Sequence, residues 1–308
     1  TFSSSWVSNY GSGGSLNASN GFQGFIYDLT NNLWLTAPTA SSYISYWGTA
    51  PSYGHTAVNA AIKVAGKSIT TSGNTFDING YSYTNGNLDR SGIIITSTGS
   101  VTSSGDVFKV KGDKNNGILA QGKVVSSGDT FTLDGTQNVG IKNSATGTTS
   151  TDDKFEVNGD NSKNIGFYQT AGSGAFTHST FDIAKNIAYD GVRDESDGIL
   201  ATGGDITTAY HYVSNTHRGD TTFNIWGYGN NGIRFQGGTG SSIDSGVSID
   251  VTGDNANGVF VNKGGLTYEG DTTVTGDGAY GFVAGKNSTV TANGGSVTVS
   301  GASGSSKA

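Results

Sequence analysis

The stretch GDVFKVKGDKNNGILAQGKVVSSGDTFTLDGTQNVGIKN, residues 105–143, says one phrase twice. Gly105-Asp106 returns as Gly128-Asp129, Phe108-Lys109-Val110 as Phe131-Thr132-Leu133, and Gly117-Ile118 as Gly140-Ile141, each 23 residues later. A further clear copy runs from Phe223-Asn224-Ile225 to Gly232-Ile233-Arg234, and weaker copies start at Phe76, Phe155, Phe181, Ile249 and Val274. The glycines that precede the second apolar run, Gly92, Gly117, Gly140, Gly166, Gly198, Gly232, Gly258 and Gly281, are 25, 23, 26, 32, 34, 26 and 23 residues apart. A period in the twenties built from short strands and turns is the signature of a solenoid.

Alternation sets the register of each coil. In a strand, side chains two apart share a face. Phe108 and Val110 therefore point inward and Lys109 outward, and Ile118 with Ala120 repeats the pattern. Stacked coils then lay Phe on Phe and Ile on Ile in ladders about 4.8 Å apart. No stretch has a helical period long enough to cross back over a sheet. Gly105-Asp106, Gly128-Asp129, Asn116-Gly117 and Asn257-Gly258 read as corners that supply positive φ or an Asx turn. With only 2 prolines, nearly every residue can donate to a ladder. The expected fold is all-β, a right-handed parallel β-helix of about 8–11 coils of 23–26 residues. A propeller or sandwich would need larger alternating hairpins.

Composition agrees. Of 308 residues, 50 are Gly, 33% are hydrophobic and only 13% are charged. That is poor material for one large core, but it suffices where each coil buries a few side chains under its neighbours. The period fails in residues 1–70, which hold Trp6, Trp34, Trp47 and both prolines, Pro38 and Pro51. Solenoid ends must be capped, so this region is expected to be an aromatic-rich N-terminal cap with irregular first coils. Residues 71–300 form the helix proper, and 301–308 read as a flexible tail. A first residue other than Met and the absence of a leader-like segment suit a mature or excised piece.

The formal charge is −7, and no run of Lys or Arg occurs along the chain, which argues against nucleic acid as a partner. No apolar run approaches the length of a membrane span. Cys is absent, so disulfides, thiol catalysis and Cys-ligated zinc are excluded.

The runs Gly-Asp-Thr-Phe-Thr-Leu (128–133), Gly-Asp-Val-Phe-Lys-Val (105–110) and Gly-Asp-Thr-Thr-Val-Thr (270–275), with Asn-Gly-Ile and Asn-Gly-Val corners between them, carry a family resemblance. Residues 71–300 resemble the β-helical passenger domains of Gram-negative autotransporters, the type V secreted surface proteins. The lack of Cys fits an export route through membranes. The resemblance implies a secreted stalk displayed on the outer membrane, an adhesin or surface structural protein, whose partners are a host receptor or glycan, other bacterial cells, or itself along the rod. Polysaccharide lyases, glycoside hydrolases and phage tailspikes use the same coil. A polysaccharide-degrading enzyme is therefore the second reading, and a non-enzymatic role the first.

The breaks in the period point to a site. From the Phe of one strand to the next corner Gly takes 9 residues in regular coils but 17 from Phe181 to Gly198; from corner Gly to the next Phe takes 14 to 16 in regular coils but 25 from Gly198 to Phe223. The excess falls near 185–197 and 205–218. A third long corner, with Tyr81, Tyr83 and Arg90, lies between Phe76 and Gly92. Solenoid insertions become surface loops, where binding residues concentrate. The expected ligand-binding residues are Asp190, Arg193, Asp194, Glu195, Asp197, Tyr210, His211, Tyr212, His217 and Arg218. No catalytic residue and no metal site is assigned, and no cofactor is called for. Calcium on Asp190, Asp194, Glu195 and Asp197 is the one ion those loop carboxylates would suit.

Two motifs are set aside. Arg218-Gly219-Asp220 spells an integrin-type tripeptide, but Gly-Asp before a Phe strand is read as part of the repeat. Gly227-Tyr228-Gly229-Asn230-Asn231-Gly232 matches a dinucleotide fingerprint, yet the strand Ile233-Arg234-Phe235 follows it where that use requires a helix.

Overall fold

A computed structural model describes residues 60–300, apart from 67, 81–89, 159–161, 186–194, 209–211, 214–215, 218–220, 239–240 and 244–245, together with three short strands nearer the N-terminus. The described chain is all strand and turn, wound as a parallel β-solenoid. One coil shows the plan. Asn116–Ala120 lies on the first face, Lys123–Ser127 on the second and Thr130–Leu133 on the third. The next coil repeats it with Val139–Asn143, Thr148–Thr151 and Lys154–Val157. Each strand pairs in parallel with its equivalents one coil below and above, Ile118 with Ile93 and Ile141, Phe131 with Phe108 and Phe155. Among the described residues the ladder of the third face contains nine strands.

The regular stack starts at Ala60–Val64, which pairs with Ser91–Ile95. Ahead of it, Ile26–Asp28 pairs in parallel with Ala60–Val64 and antiparallel with Leu33–Leu35, and Ser15–Leu16 pairs with the strand Ser68–Ser72. These pairings cover part of the N-terminal strand edge on the first and second faces. Trp6, Trp47, Pro38 and Pro51 lie outside the described residues.

The core is the set of ladders that alternation requires. Phe76, Phe108, Phe131, Phe155, Phe181 and Phe223 stack with ring centres 4.6–4.8 Å apart and planes 3–6° from parallel. Ile249, Thr272 and Val297 continue that column. The copy expected to start at Val274 therefore starts at Thr272: Val274 pairs with Val251, two residues along. Ile93, Ile118, Ile141, Phe167, Ile199, Ile233 and Val259 make the corresponding column on the first face, all buried.

The repeated glycines serve differently from the expectation. Gly105 and Gly128 do turn corners at φ +62° and +66°. Gly117, Gly140, Gly166, Gly198, Gly232 and Gly258 sit inside first-face strands, without positive φ. A Cβ on Gly117 would lie 2.6 Å from the carbonyl oxygen of Gly140 and 3.0 Å from the Phe131 ring. These positions are glycine because the carbonyl of the next coil and a core side chain converge on them, a phenylalanine at Gly117, Gly140, Gly166 and Gly198, Ile225 at Gly232, and Ile249 with Thr272 at Gly258.

Two polar ladders hold the corners. Between second and third faces, the N–H of Asn74 donates to Oδ1 of Asp106, that of Asp106 to Asp129, and that of Asp129 to Asp153, at 2.7–2.8 Å. Ser103, Ser126 and Ser150 donate their hydroxyls to the second oxygens of Asp106, Asp129 and Asp153. Between third and first faces, the N–H of Asn115 donates to Oδ1 of Asn138 and that of Asn138 to Asn164, both at 2.8 Å. The ladder continues through Ser196 to Asn230. Side chains thus satisfy corner N–H groups that no strand reaches.

Candidate functional site

Both insertions border the third face. The first leaves the end of Thr180–Ile183 and re-enters at Asp197–Ala201, at the corner of third and first faces. The second lies between Asp205–Thr208 and Thr221–Ile225, at the corner of second and third faces. Asp205–Thr208 is an ordinary second-face strand paired with residues 173–176, so the excess begins after Thr208 and not at Asp205.

The expected site residues divide accordingly. Asp190, Arg193, Asp194, Tyr210, His211 and Arg218 lie outside the described residues. Tyr212 pairs with His217 in a two-stranded antiparallel ladder, Tyr212–Val213 with Thr216–His217. Glu195 turns the corner at φ +52° and meets Lys163 Nζ at 3.0 Å. Asp197 is no loop residue. It begins a first-face strand, fully buried, with Oδ2 2.5 Å from Arg234 Nη2 and Oδ1 2.9 Å from Asn231 Nδ2. Burial pushes its carboxyl up to about 6 against the pull of Arg234.

The tripeptide 218–220 also changes standing. Register pairs Thr180 with Thr222 and Phe181 with Phe223. The slot that Asp106 and Asp129 fill is therefore taken by Thr221, whose Oγ1 accepts from the Ser179 N–H. Residues 218–220 lie outside the described residues; along the chain Asp220 comes one residue before Thr221, so the repeat does not account for the Gly219-Asp220 pair. Gly270-Asp271 is out of register in the opposite sense, because Asp271 pairs with Ser248 inside the strand.

Between the insertions, the outward row of the third face reads Thr132, Glu156, Asp182, Asn224, Asp250 on successive strands. These acids look scattered in sequence, and coiling makes them neighbours. Lys154 Nζ reaches Glu156 at 2.6 Å and Asp182 at 3.8 Å, and Lys185 Nζ lies 3.6 Å from Asp182. Thr132 donates to Glu156 at 3.1 Å and Asn224 to Asp182 at 2.8 Å. Lys185 also lies over the Trp226 ring, 5.4 Å from its centre. The hydrogen bond from Lys154 holds the Glu156 carboxyl below its usual range. The row is polar and hydrogen-bonded, with Asp182 buried between Lys154 and Lys185 and an aromatic at its edge. A general acid for glycoside cleavage needs its pKa raised, and Glu156 is shifted the other way.

A second feature lies on the first face. Lys114, Asn116, Gln137, Val139, Lys142, Lys163, Ile165, Tyr168 and Arg234 line a depression of about 350 Å³. Four cations gather there on a chain of net charge −7. The absence of a Lys/Arg run in the sequence hid this cluster. The signal was positional: Lys114 and Lys163 stand three residues before a first-face Gly, and Lys142, Tyr168 and Arg234 two after one.

No protein-family model matches the chain, and neither a curated protein nor a solved structure matches it significantly.

Proposed function

We propose that the chain is the β-helical passenger of a type V secreted protein of a Gram-negative bacterium, displayed outside the outer membrane as an adhesin or surface rod. One observation carries this reading: the two longest breaks in a stack of coils with a uniform core, between Ile183 and Asp197 and between Thr208 and Thr221, border the same face, on either side of Glu156, Asp182, Asn224 and Trp226. A rod holds that face away from a surface, and loops on a rigid scaffold are where recognition residues concentrate. The partner is a glycan or protein on a host or neighbouring cell. The test is display of the chain from an outer-membrane translocator on a non-adherent strain. Attachment to epithelial cells and cell–cell aggregation should appear with the native loops. Both should fall when each insertion is replaced by the regular corner of the preceding coil, while protease resistance of the rod is kept. Attachment that survives both replacements sinks the reading.

A lowered Glu156 carboxyl beside Asp182 suits a general base and not a general acid, and in that role it supports a second reading, base-assisted cleavage of a bound polysaccharide. Release of reducing ends or unsaturated uronates by the purified chain, lost in Glu156→Gln and Asp182→Asn, would establish it.

A further inference from the structure

The depression on the first face carries two lysines at backbone positions that favour glycine or asparagine. Two residues before each first-face strand the backbone turns through positive φ: Lys114 (+59°), Gln137 (+58°), Lys163 (+50°), Glu195 (+52°), Gly229 (+76°), Asn255 (+51°) and Gly278 (+66°). Every coil from 114 onward makes this turn, so the turn is structural. Its occupant is a choice. Gly and Asn take the left-handed region cheaply, and Lys does not. Lysine nevertheless holds the slot at 114 and 163, two coils apart, hence roughly 10 Å along the axis. Lys142 projects from the coil between them, its ammonium 5.9 Å from the centre of the Tyr168 ring on the next strand. Arg234 follows two rungs beyond Tyr168; its Nη2 donates to the buried Asp197, and its Nε is buried without a hydrogen-bond partner.

We propose that this depression binds an anionic polysaccharide, a chain of uronate or sulfated sugars laid along the solenoid axis. Glu195 lies 3.0 Å from Lys163 and Asp197 2.5 Å from Arg234, so two acids stand beside the four cations; the cations are on different rungs and do not converge, which suits a linear polyanion over a compact phosphate. Their spacing is a rung or more, and a rung of about 4.8 Å is comparable to the length of one hexopyranose unit. Duplex DNA carries a charge every ~1.7 Å of axis, far denser than this row. A tyrosine beside the lysines adds a flat apolar surface of the kind sugar rings pack on. The inference needs neither surface display nor the loops of the third face, and it is tested on the purified chain in solution.

The test is calorimetric titration with an oligogalacturonate hexamer, a heparin hexasaccharide, maltohexaose and a ten-residue oligothymidylate. One or both anionic saccharides should bind, more weakly as salt is added, and maltohexaose should not. Lys114→Gly with Lys163→Gly should weaken binding roughly tenfold or more while leaving the melting temperature unchanged or higher, because glycine relaxes the turn. Lys114→Arg with Lys163→Arg should retain binding. Tyr168→Ala should weaken it as well. Binding by neither anionic saccharide overturns the proposal, as does equal binding in the glycine variant. Oligothymidylate bound as tightly as the saccharides overturns the assignment to sugar.

Discussion

The backbone N–H of Asp129 donates to Oδ1 of Asp153, 2.8 Å away and one coil further along. Both residues are buried, each accepts a serine hydroxyl on its other oxygen, and Asp129 itself caps the N–H of Asp106. The ladder therefore aligns carboxylates one rung apart inside the solenoid. Burial pushes Asp129 up to about 6 and Asp153 up to about 7, the neighbouring Asp129 charge adding to the second.

The sign of the resulting pH dependence follows. Folded pKa values above the unfolded 3.8 mean that the folded chain binds more protons between about pH 4 and 7. Stability should thus rise as pH falls from 8 toward 5, by about 1.4 kcal/mol per pH unit for each proton taken up. Asp153→Asn should flatten this slope and raise the melting temperature at pH 8, since Asn74 already fills the equivalent slot in the first coil and bonds to Asp106. Thermal melts at pH 5, 6.5 and 8 check both. A variant as pH-sensitive as the native chain would remove Asp153 from the account.

Gly117 and Gly105 should respond differently to alanine. Gly105→Ala places a Cβ in open space at φ +62° and should cost about 1–2 kcal/mol, the left-handed penalty alone. Gly117→Ala drives a Cβ to 2.6 Å from the Gly140 carbonyl, so backbone must move in two coils, and the loss should be larger, about 3 kcal/mol. Denaturant midpoints of the two variants compare them.

Arg234→Met leaves the buried Asp197 carboxylate without its cation. A loss of about 3–5 kcal/mol is expected at pH 8. Asp197 already sits near 6, and the variant should raise it further, so acidification should recover most of the loss. A deficit independent of pH would mean that arginine packing, not the ion pair, was removed.

Phe131→Ala opens a cavity in the middle of the aromatic column, with an expected cost of about 3–5 kcal/mol. Because coils contact only neighbours, amide exchange should quicken most in strands 107–112, 130–133 and 154–157. Uniform loss of protection along the rod would show that the stack unfolds as one unit.

How much was legible in the sequence varies with how local the cause is. The strands, the period and the Phe column follow from alternation and repeat length, and Phe108, Phe131 and Phe155 stack as that pattern requires. The eighth copy was misplaced at Val274 because Thr272 fills the Phe slot without looking apolar. Asp197 looked like a loop acid because the boundary between insertion and strand is set by pairing with Asn231, a residue 34 positions away. The acids Glu156 and Asp182 are 26 apart in sequence and adjacent in space.

Sequence by itself determined the solenoid, its all-β class and the coils where the period breaks, since side-chain alternation and coil length are read along the chain. Only the tertiary structure decided what each repeated residue does. Gly117 is glycine because a neighbouring coil and a ring crowd it; Asp129 is aspartate because the N–H of Asp106 needs an acceptor. Lys114, Lys142 and Lys163 form one patch because stacking turns a separation of about 25 residues into one rung. In a solenoid the nearest neighbour of a residue is its counterpart in the next coil, and no short window of sequence contains both.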